Sequence, residues 1–375
     1  MNIPICVMIR VDFANDTTMN NQDKIKTILA TTTVPFFNQT LAQLGFEASI
    51  DIKTDALTIA LSAGFPTGSI EDSLQSLIRK ALAQVYPSLP IHLTLEPDIR
   101  AHITQLPGRG LRGVKNTIAV ASGKGGVGKS TVAVNLAVAL AKAGARVGIL
   151  DADIYGPSIP LMLGDAKPVE IQDNHYLPVK AHGIEAMSIG YLTDNEEALI
   201  WRGPMLAKSL LQMMDITLWD DLDYLFIDLP PGTGDIQLSL VQKIPLTGAI
   251  VVTTPQNIAT LDARKAIKMF EKTNIDVLGL VENMALHHCS ACGQQEAIFG
   301  HGGAEALSER FNIPLLGTLP LDSLIRSQSD EGKPAVLHAP DQSGKPFMTT
   351  ALRAALAISQ KPLNYADKFP PIVVE

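Results

Sequence analysis

The fold is decided by Gly123-Lys124-Gly125-Gly126-Val127-Gly128-Lys129-Ser130, eight residues in a chain of 375. They match the G-x-x-x-x-G-K-[S/T] pattern of phosphate-binding loops. An apolar stretch, residues 117–121, precedes them, and a long apolar segment with helical pattern, residues 131–142, follows. Glycine permits the turn that points successive backbone N–H groups at phosphate oxygens, and a following helix adds the positive end of its dipole. The motif and its context predict a nucleotide-binding loop between a strand and a helix.

Two residues at the end of this loop supply what a nucleoside triphosphate requires. Lys129 is placed to meet the β and γ phosphates, and the hydroxyl of Ser130 is a ligand for Mg²⁺, which keeps most of its waters. The predicted nucleotide contacts in this region are Gly123, Lys124, Gly125, Gly126, Val127, Gly128, Lys129, Ser130 and Thr131. The alternative is a glycine-rich turn with an incidental lysine, and the flanking strand and helix argue against it.

After Asn116, six apolar stretches rich in β-branched residues alternate with segments of helical pattern. The stretches are residues 117–121, 146–150, 224–227, 249–253, 277–281 and 315–319. Nearly continuous apolar strands must be covered on both faces, and each helix between them carries the chain back over the sheet. The sequence therefore predicts a doubly wound α/β domain with a parallel sheet over residues 116–365.

The N-terminal quarter of the chain predicts a small separate α/β domain, residues 1–95. Its expected elements are a helix over residues 22–46, strands 47–52 and 57–62, a helix over 69–86 and a strand 91–95. Residues 96–115 contain several prolines, glycines and arginines without strand or helix periodicity, which indicates a linker. Residues 366–375 are interpreted as a loose tail.

Composition and charge exclude several classes of protein. Hydrophobic residues make up 46% of the chain and charged residues 18%, a balance that argues against disorder. The net charge of −8 gives no support to general binding of nucleic acid or anionic membranes. The apolar stretches are shorter than the roughly 20 residues that span a bilayer. The N-terminus lacks the pattern of a signal peptide, and three cysteines are too few for a secreted disulfide framework. We expect a cytoplasmic protein.

Carboxylates follow two of the predicted strands, at the edge where open α/β sheets bind ligands. Asp151 and Asp153 come after the strand 146–150, and Asp228 comes after the strand 224–227. Asp151 is interpreted as structural. Aspartate is also a favoured helix N-cap, so capping of the helices that follow is the alternative for Asp153 and Asp228.

The second lysine of the loop, Lys124, gives the motif the form K-G-G-x-G-K-S. This form resembles the deviant Walker A box of a class of dimerising ATPases that includes MinD, ParA and nitrogenase iron protein. The resemblance implies that Lys124 reaches across a homodimer to the partner's nucleotide and stabilises charge on the transferring phosphoryl group. A surface lysine without this role is the alternative.

The same resemblance implies roles for further residues. Asp153 is the switch I carboxylate that positions the attacking water, which adds it to the two loop lysines in the predicted catalytic set. Asp228 is the Walker B carboxylate that holds Mg²⁺ through water, and residues 230–234 are the switch II loop that senses the γ-phosphate. Asn283 is similar to an asparagine that hydrogen-bonds the adenine, with a turn-forming loop asparagine as the alternative.

A cysteine pair, Cys289-Ser290-Ala291-Cys292, lies after the strand 277–281. This spacing occurs in zinc sites, redox pairs and iron–sulfur ligand sets, and two thiolates complete none of the metal sites. A two-fold dimer supplies four sulfur ligands, which suit tetrahedral Zn²⁺ or a 4Fe–4S cluster. The dimer that Lys124 implies would therefore supply the metal ligands that one cysteine pair lacks, and the incomplete ligand set in turn favours a dimer. Two buried thiols without a ligand are the alternative.

Together these motifs resemble the Mrp family of ATP-binding iron–sulfur cluster carriers, also called ApbC in bacteria. The likeness runs over residues 114–349 and is carried by the loop, the cysteine segment and residues 151–158, 201–205, 223–235, 253–256 and 282–284. The N-terminal domain is similar to one that many bacterial members share. Many relatives have proline where this chain has Ser290, and the thiolate chemistry is expected to survive that difference.

The resemblance implies an ATP-hydrolysing homodimer that binds a transferable 4Fe–4S cluster through Cys289 and Cys292 and delivers it to apoproteins. The expected cofactors are ATP and Mg²⁺, and the expected partners are apo iron–sulfur proteins and cluster-assembly proteins, without nucleic acid or membrane. Two alternatives stay open. One is a positioning ATPase like MinD or ParA, which the acidic chain disfavours. The other is a dimeric ATPase scaffold held together by zinc.

Overall fold

The computed structural model describes residues 7–8, 21–53, 55–154, 156–165, 167–192, 203–289, 292, 294–341 and 343–364. The chain divides into two compact units, Met1–Arg100 and Ala101–Glu375. The domain limits expected from the sequence stay predictions, and the expected tail, residues 366–375, lies outside the described residues. No helix in the described part of the chain combines the length and apolar character that a membrane crossing requires.

The first unit is a four-stranded sheet with two helices. The helices are α1 (Asn21–Thr31) and α2 (Glu71–Ala83). The strands are β1 (Val7–Met8), β2 (Thr33–Val34), β3 (Gln39–Thr40), β4 (Glu47–Ile52), β5 (Leu57–Ala63) and β6 (Ile91–Pro97). The sheet has the order β1-β4-β5-β6, and β2 and β3 form a separate hairpin. Strand β5 alternates buried and exposed residues, with Leu57, Ile59 and Leu61 buried in the core, as a strand with one covered face requires.

The first helix of this unit is shorter than predicted. The sequence analysis expected it to continue to Phe46, whereas α1 ends at Thr31 and the β2–β3 hairpin follows. Three consecutive threonines and Val34 lower helix propensity because they are β-branched. Pro35 lacks a backbone N–H and disfavours the helical conformation of the residue before it. Local backbone chemistry here outweighs the apolar spacing on which the prediction rested.

The second unit contains an eight-stranded sheet in the order β11-β12-β8-β13-β7-β14-β15-β18. Its strands are β7 (Val114–Ser122), β8 (Val147–Asp151), β11 (Val179–Ala181), β12 (Ile184–Ser188), β13 (Leu222–Asp228), β14 (Gly248–Thr253), β15 (Val277–Glu282) and β18 (Leu315–Thr318). Two hairpins lie outside this sheet, β9 (Glu170–Gln172) with β10 (His175–Leu177) and β16 (His287–His288) with β17 (Gln295–Glu296). Every pairing in the large sheet is parallel except that of the edge strand β11 with β12.

Helices cover both faces of the large sheet. They are α3 (Lys129–Lys142), α4 (Ile159–Leu163), α5 (Gly203–Ile216), α6 (Asp235–Val241), α7 (Asn257–Lys272), α8 (Gly303–Phe311), α9 (Ser323–Asp330), α10 (Ala335–His338) and α11 (Gly344–Ser359), with a 3₁₀ turn at Ile189–Tyr191. Helices α3 and α11 pack on each other and on the strands. Residues of α5, α6 and α7 form a core with Ala119 and Ala121 of β7. The predicted doubly wound fold is confirmed.

The strand order places the carboxyl end of β7 at a crevice. The chain leaves β7 through α3 to reach β8 on one side, and it leaves β13 through α6 to reach β14 on the other side. Ligands bind in open α/β sheets where the strand order reverses in this way. The glycine-rich loop, Asp151 and Asp228 all lie at this edge.

Candidate nucleotide site and cysteine segment

The glycine-rich loop follows β7 directly and ends where α3 begins, at Lys129. Gly126 and Gly128 have φ angles of +79° and +77°, a backbone region that only glycine adopts readily. Gly123 approaches α7 so closely that a Cβ on it would lie 2.1 Å from the carbonyl oxygen of Asp262. The glycines therefore serve the turn at two positions and close backbone packing at a third.

Replacing Gly123 with alanine is expected to destabilise the fold through this contact. The added methyl group meets the backbone of α7 at Asp262 and Ala263, which cannot yield as a side chain can. Overpacking of this kind costs roughly 1–3 kcal/mol in free energy of unfolding, which urea denaturation would measure. Gly125→Ala is the matched control, because its Cβ would lie 3.9 Å from the nearest atom, in Pro231. Equal stability of the two variants would contradict the packing role of Gly123.

The structure brings three predicted site residues together. Lys129 Nζ donates to Asp228 Oδ1 at 2.6 Å, and Ser130 Oγ donates to Asp228 Oδ2 at 2.6 Å. Asp228 is fully buried and Lys129 is 6% exposed. Hydroxyl and carboxylate oxygens are the ligands that Mg²⁺ prefers, and Ser130 and Asp228 present one of each side by side. The residues present therefore fit a magnesium site next to the loop lysine.

Asp151 anchors the segment that carries Asp153. Its carboxylate accepts hydrogen bonds from Ser188 Oγ (3.0 Å), the Asp153 N–H (3.1 Å) and the Ile159 N–H (3.3 Å). Burial, together with the charge of Asp228, raises the pKa of Asp151 to about 7. These contacts give Asp151 a structural role, and they hold the backbone of half-buried Asp153 at the carboxyl end of β8. The water-positioning role of Asp153 stays a prediction.

The predicted switch II loop lies against the glycine-rich loop. The Gly232 N–H donates to the Ser122 carbonyl at 3.0 Å, and a Cβ on Gly125 would lie 3.9 Å from the side chain of Pro231. Ser122 Oγ in turn donates to the Lys124 carbonyl at 2.8 Å. Ser122 thus ties the predicted switch II loop and the backbone of Lys124 to the end of β7. The side chain of Lys124 is half-buried, and its role across a dimer stays a prediction.

Asn283 makes a contact that the sequence did not predict. It is 6% exposed, and its Nδ2 donates to the carbonyl of Val127 in the glycine-rich loop at 2.8 Å. A Cβ on Gly128 would lie 2.3 Å from this Nδ2 atom. Asn283 therefore braces the nucleotide loop, and the adenine contact implied by the resemblance stays a prediction.

Sequence reasoning also missed Glu282, the residue before Asn283. Glu282 is 4% exposed, and its Oε1 accepts a hydrogen bond from the Ala304 N–H in the first turn of α8 at 2.9 Å. The signal was an acidic residue that ends an otherwise apolar strand, immediately before a candidate site residue. A buried carboxylate at the start of a helix is stabilised by the helix dipole.

The cysteine pair extends from the short β16–β17 hairpin. The Cys289 N–H donates to the Gln294 carbonyl at 2.9 Å, which continues the hairpin to the first cysteine. Cys289 is half-buried and Cys292 is exposed. Ser290, Ala291 and Gly293 lie outside the described residues. Within the part of the chain that the structure describes, no three histidine, cysteine, aspartate or glutamate side chains are grouped to hold a metal ion.

The fold and this site define the class of protein. The structure has the parts of a P-loop NTPase. They are a mostly parallel sheet, a glycine-rich loop that leads into a helix, and a lysine and a serine that both donate hydrogen bonds to the aspartate at the end of a strand. The family model described as NUBPL iron-transfer P-loop NTPase, of the ParA group, matches residues 113–356. The chain belongs to this family, and the predicted membership is confirmed.

Relatives of this chain include two iron–sulfur cluster carrier proteins. That of Haemophilus influenzae is 48% identical over 331 residues, which cover 88% of this chain and 90% of the relative. That of Escherichia coli K12 is 59% identical over 234 residues, 62% of this chain and 63% of the relative. A nucleotide-binding protein of Archaeoglobus fulgidus, solved in complex with ADP, is 42% identical with a TM-score of 0.52, over 59% of this chain and 88% of that one.

Proposed function

We propose that this P-loop NTPase hydrolyses ATP and carries an iron–sulfur cluster to apoproteins as a cytoplasmic homodimer. One observation carries the proposal: the second unit contains both Lys129 with Asp228 and the thiol pair, Cys289 and Cys292. The names of the relatives at 48% and 59% identity support the cluster as cargo. The ADP complex of the Archaeoglobus fulgidus protein supports the proposal that this chain binds an adenine nucleotide.

At the nucleotide site, the ion pair between Lys129 and Asp228 is the resting arrangement. When a triphosphate enters, the ammonium group of Lys129 turns from Asp228 to the β and γ phosphates, since these oxygens carry more charge than one carboxylate. Ser130, through its hydroxyl, and Asp228, through water, would hold Mg²⁺. The cation would supply positive charge that neutralises the phosphate oxygens. Asp153 orients the attacking water, and Lys124 of the partner subunit stabilises the charge that develops during transfer.

Asp153→Asn is expected to slow hydrolysis while nucleotide still binds. The amide keeps the shape of the side chain but loses the carboxylate that orients the attacking water. Positioned groups of this type contribute about 10²–10⁴-fold to turnover, so we expect a loss of at least about 100-fold in kcat. Phosphate release measured beside ATP affinity separates the two effects. An equal loss of affinity would point to helix capping as the role of Asp153.

At the cysteine pair, the cargo is a 4Fe–4S cluster held by Cys289 and Cys292 of both subunits. Two chains supply four thiolates, the number that such a cluster requires. The exposure of Cys292 supports transfer, because an acceptor's thiolates must reach the cluster before it is released. Apo iron–sulfur proteins and cluster-assembly proteins are the proposed partners.

The test of this function is transfer of a cluster to an apoprotein. We expect the anaerobically reconstituted chain to restore the activity of an apo 4Fe–4S enzyme in the presence of an iron chelator that captures free iron. The control mixture contains free iron and sulfide at the same concentration and should restore nothing under the chelator. If both mixtures restored activity equally, or neither did, the chain would not be a carrier.

A further inference from the structure

We propose that Asn283 is a positioning residue that couples the nucleotide loop to the cysteine pair. This proposal rests on the proposed function, since it concerns how the nucleotide site and the cysteine pair communicate. Asn283 lies at the carboxyl end of β15, six residues before Cys289. Its side chain binds the nucleotide loop, and its backbone continues into the hairpin that leads to the cysteines.

The Asn283 side chain is closely packed against the nucleotide loop. Asn283 Nδ2 donates to the Val127 carbonyl at 2.8 Å, and the close approach of this amide to Gly128 requires the absence of a side chain there. The Asn283 N–H donates to the carbonyl of Thr253 at 2.8 Å, which fixes its backbone to β14. The Val127 carbonyl shares its peptide group with the Gly128 N–H, one of the loop N–H groups that are available to a phosphate. Phosphate binding therefore acts on the same peptide group that the Asn283 side chain holds.

Between Asn283 and the hairpin, a short segment that we call the strap (residues 284–288) is held by regular hydrogen bonds. The Ala285 N–H donates to Leu319, and the Leu321 N–H donates to the carbonyl of Leu286 at 2.8 Å. His287 Nδ1 donates to the Leu321 carbonyl at 3.0 Å. The strap is therefore an ordered connection between Asn283 and the hairpin.

The chain after the cysteines is attached next to Asn283, at Glu282. Glu282 binds the Ala304 N–H at the beginning of α8, the helix that follows the cysteine segment. A Cβ on Gly303 would lie 2.6 Å from the carbonyl of Pro255, so this end is closely packed as well. Both ends of the cysteine segment are thus attached to two consecutive residues, Glu282 and Asn283. One of these two residues touches the nucleotide loop.

The consequence is that nucleotide binding changes the environment of Cys289 in the chain without any cluster. Cys289 is half-buried and its N–H is fixed in the hairpin, whereas Cys292 is exposed. Thiol labelling followed residue by residue with mass spectrometry measures this change on the reduced, cluster-free protein. We expect saturating Mg²⁺ with the non-hydrolysable analogue AMP-PNP to change the labelling rate of Cys289 by about fivefold or more, the lower range of allosteric coupling. The reference is the labelling rate of Cys289 without nucleotide, and the labelling ratio is the larger of the two rates divided by the smaller.

Two variants test the route. Asn283→Asp keeps the size of the side chain but replaces the amide donor with an acceptor, so the hydrogen bond to the Val127 carbonyl is lost. The labelling ratio of Cys289 should then fall towards one at saturating nucleotide. Glu282→Ala removes the Ala304 contact without touching the nucleotide loop, and it should lower the ratio while nucleotide affinity is retained. Glu282→Gln keeps an acceptor oxygen and should preserve the ratio.

Two results would overturn the coupling role. One is a wild-type labelling rate of Cys289 that does not respond to nucleotide. The other is a wild-type ratio in Asn283→Asp. Because the assay contains no cluster, either result leaves the carrier function standing, and failure of cluster transfer leaves this test valid. The two proposals can therefore fail separately.

Discussion

Lys129→Ala is expected to abolish tight ATP binding. In the structure the ammonium group of Lys129 lies 2.6 Å from Asp228 Oδ1 and is nearly excluded from solvent. In the proposed function it turns from this carboxylate to the β and γ phosphates of ATP. A charge-assisted hydrogen bond contributes about 1.5–3 kcal/mol, and loss of two of them weakens binding roughly 10²- to 10⁴-fold. Isothermal titration calorimetry with ATP and Mg²⁺ measures this loss. Affinity within a few-fold of wild type would refute the assignment of the nucleotide site.

This variant also leaves Asp228 buried without its cation, which destabilises a fold. Thermal melting must therefore show that the variant is folded at the temperature of the titration. Lys124→Ala is the matched control, since it removes a lysine from the same loop but from a half-buried position. It should bind ATP normally and lose turnover by about 100-fold or more, as expected for a charge that acts during transfer. Unchanged turnover in Lys124→Ala would exclude the role across the dimer.

Cys289→Ala and Cys292→Ala are each expected to eliminate cluster binding. In a two-fold site one substitution removes two of the four thiolates at once, and the two that remain cannot hold a 4Fe–4S cluster. Iron and acid-labile sulfide should fall to background after anaerobic reconstitution, and transfer to an apo acceptor should fall with them. Cys6→Ala is the control within the same chain and should retain the cluster, because Cys6 lies far from the cysteine pair in the sequence.

ATP hydrolysis should largely persist in both cysteine variants. Lys129 and Ser130 begin α3 and Asp228 ends β13, whereas the two cysteines lie between β16 and β17, after β15. Phosphate release measured on the cluster-free variants tests this separation. Wild-type iron content and transfer in either variant would rule out the cluster between subunits and leave a P-loop NTPase with an incidental thiol pair.

The sequence predicted the parts of the molecule that local chemistry determines. The glycine-rich loop, the helix after it and Asp228 at a strand end could be recognised because a nucleotide site requires fixed residue types at fixed spacing. Apolar, β-branched stretches predicted six of the eight strands of the large sheet to within three residues, since a strand covered on both faces must be apolar along its length. The sequence analysis missed the other two strands, β11 and β12. These signals lie within short windows of the chain.

Contacts between distant residues could not be predicted in this way. The bond between Asn283 and Val127 joins residues 156 positions apart, and nothing in either local sequence indicates it. The clustering of hydrogen-bond donors on Asp151 has the same character, because Ser188 reaches it from β12. In the N-terminal unit, apolar spacing suggested a long helix where Pro35 and the threonines before it end one. Tertiary hydrogen bonds determined the first two features, and Pro35 with the β-branched residues before it determined where the helix ends.

The central claim, a cluster shared by two copies of this chain, is tested most directly on the wild-type protein after anaerobic reconstitution. Visible absorbance, iron and sulfide content and the mass of the complex in solution are measured on one sample. The account predicts a coloured dimer with about four iron and four sulfide ions per two chains. A colourless dimer that contains zinc, or a cluster bound by a single chain, would contradict it.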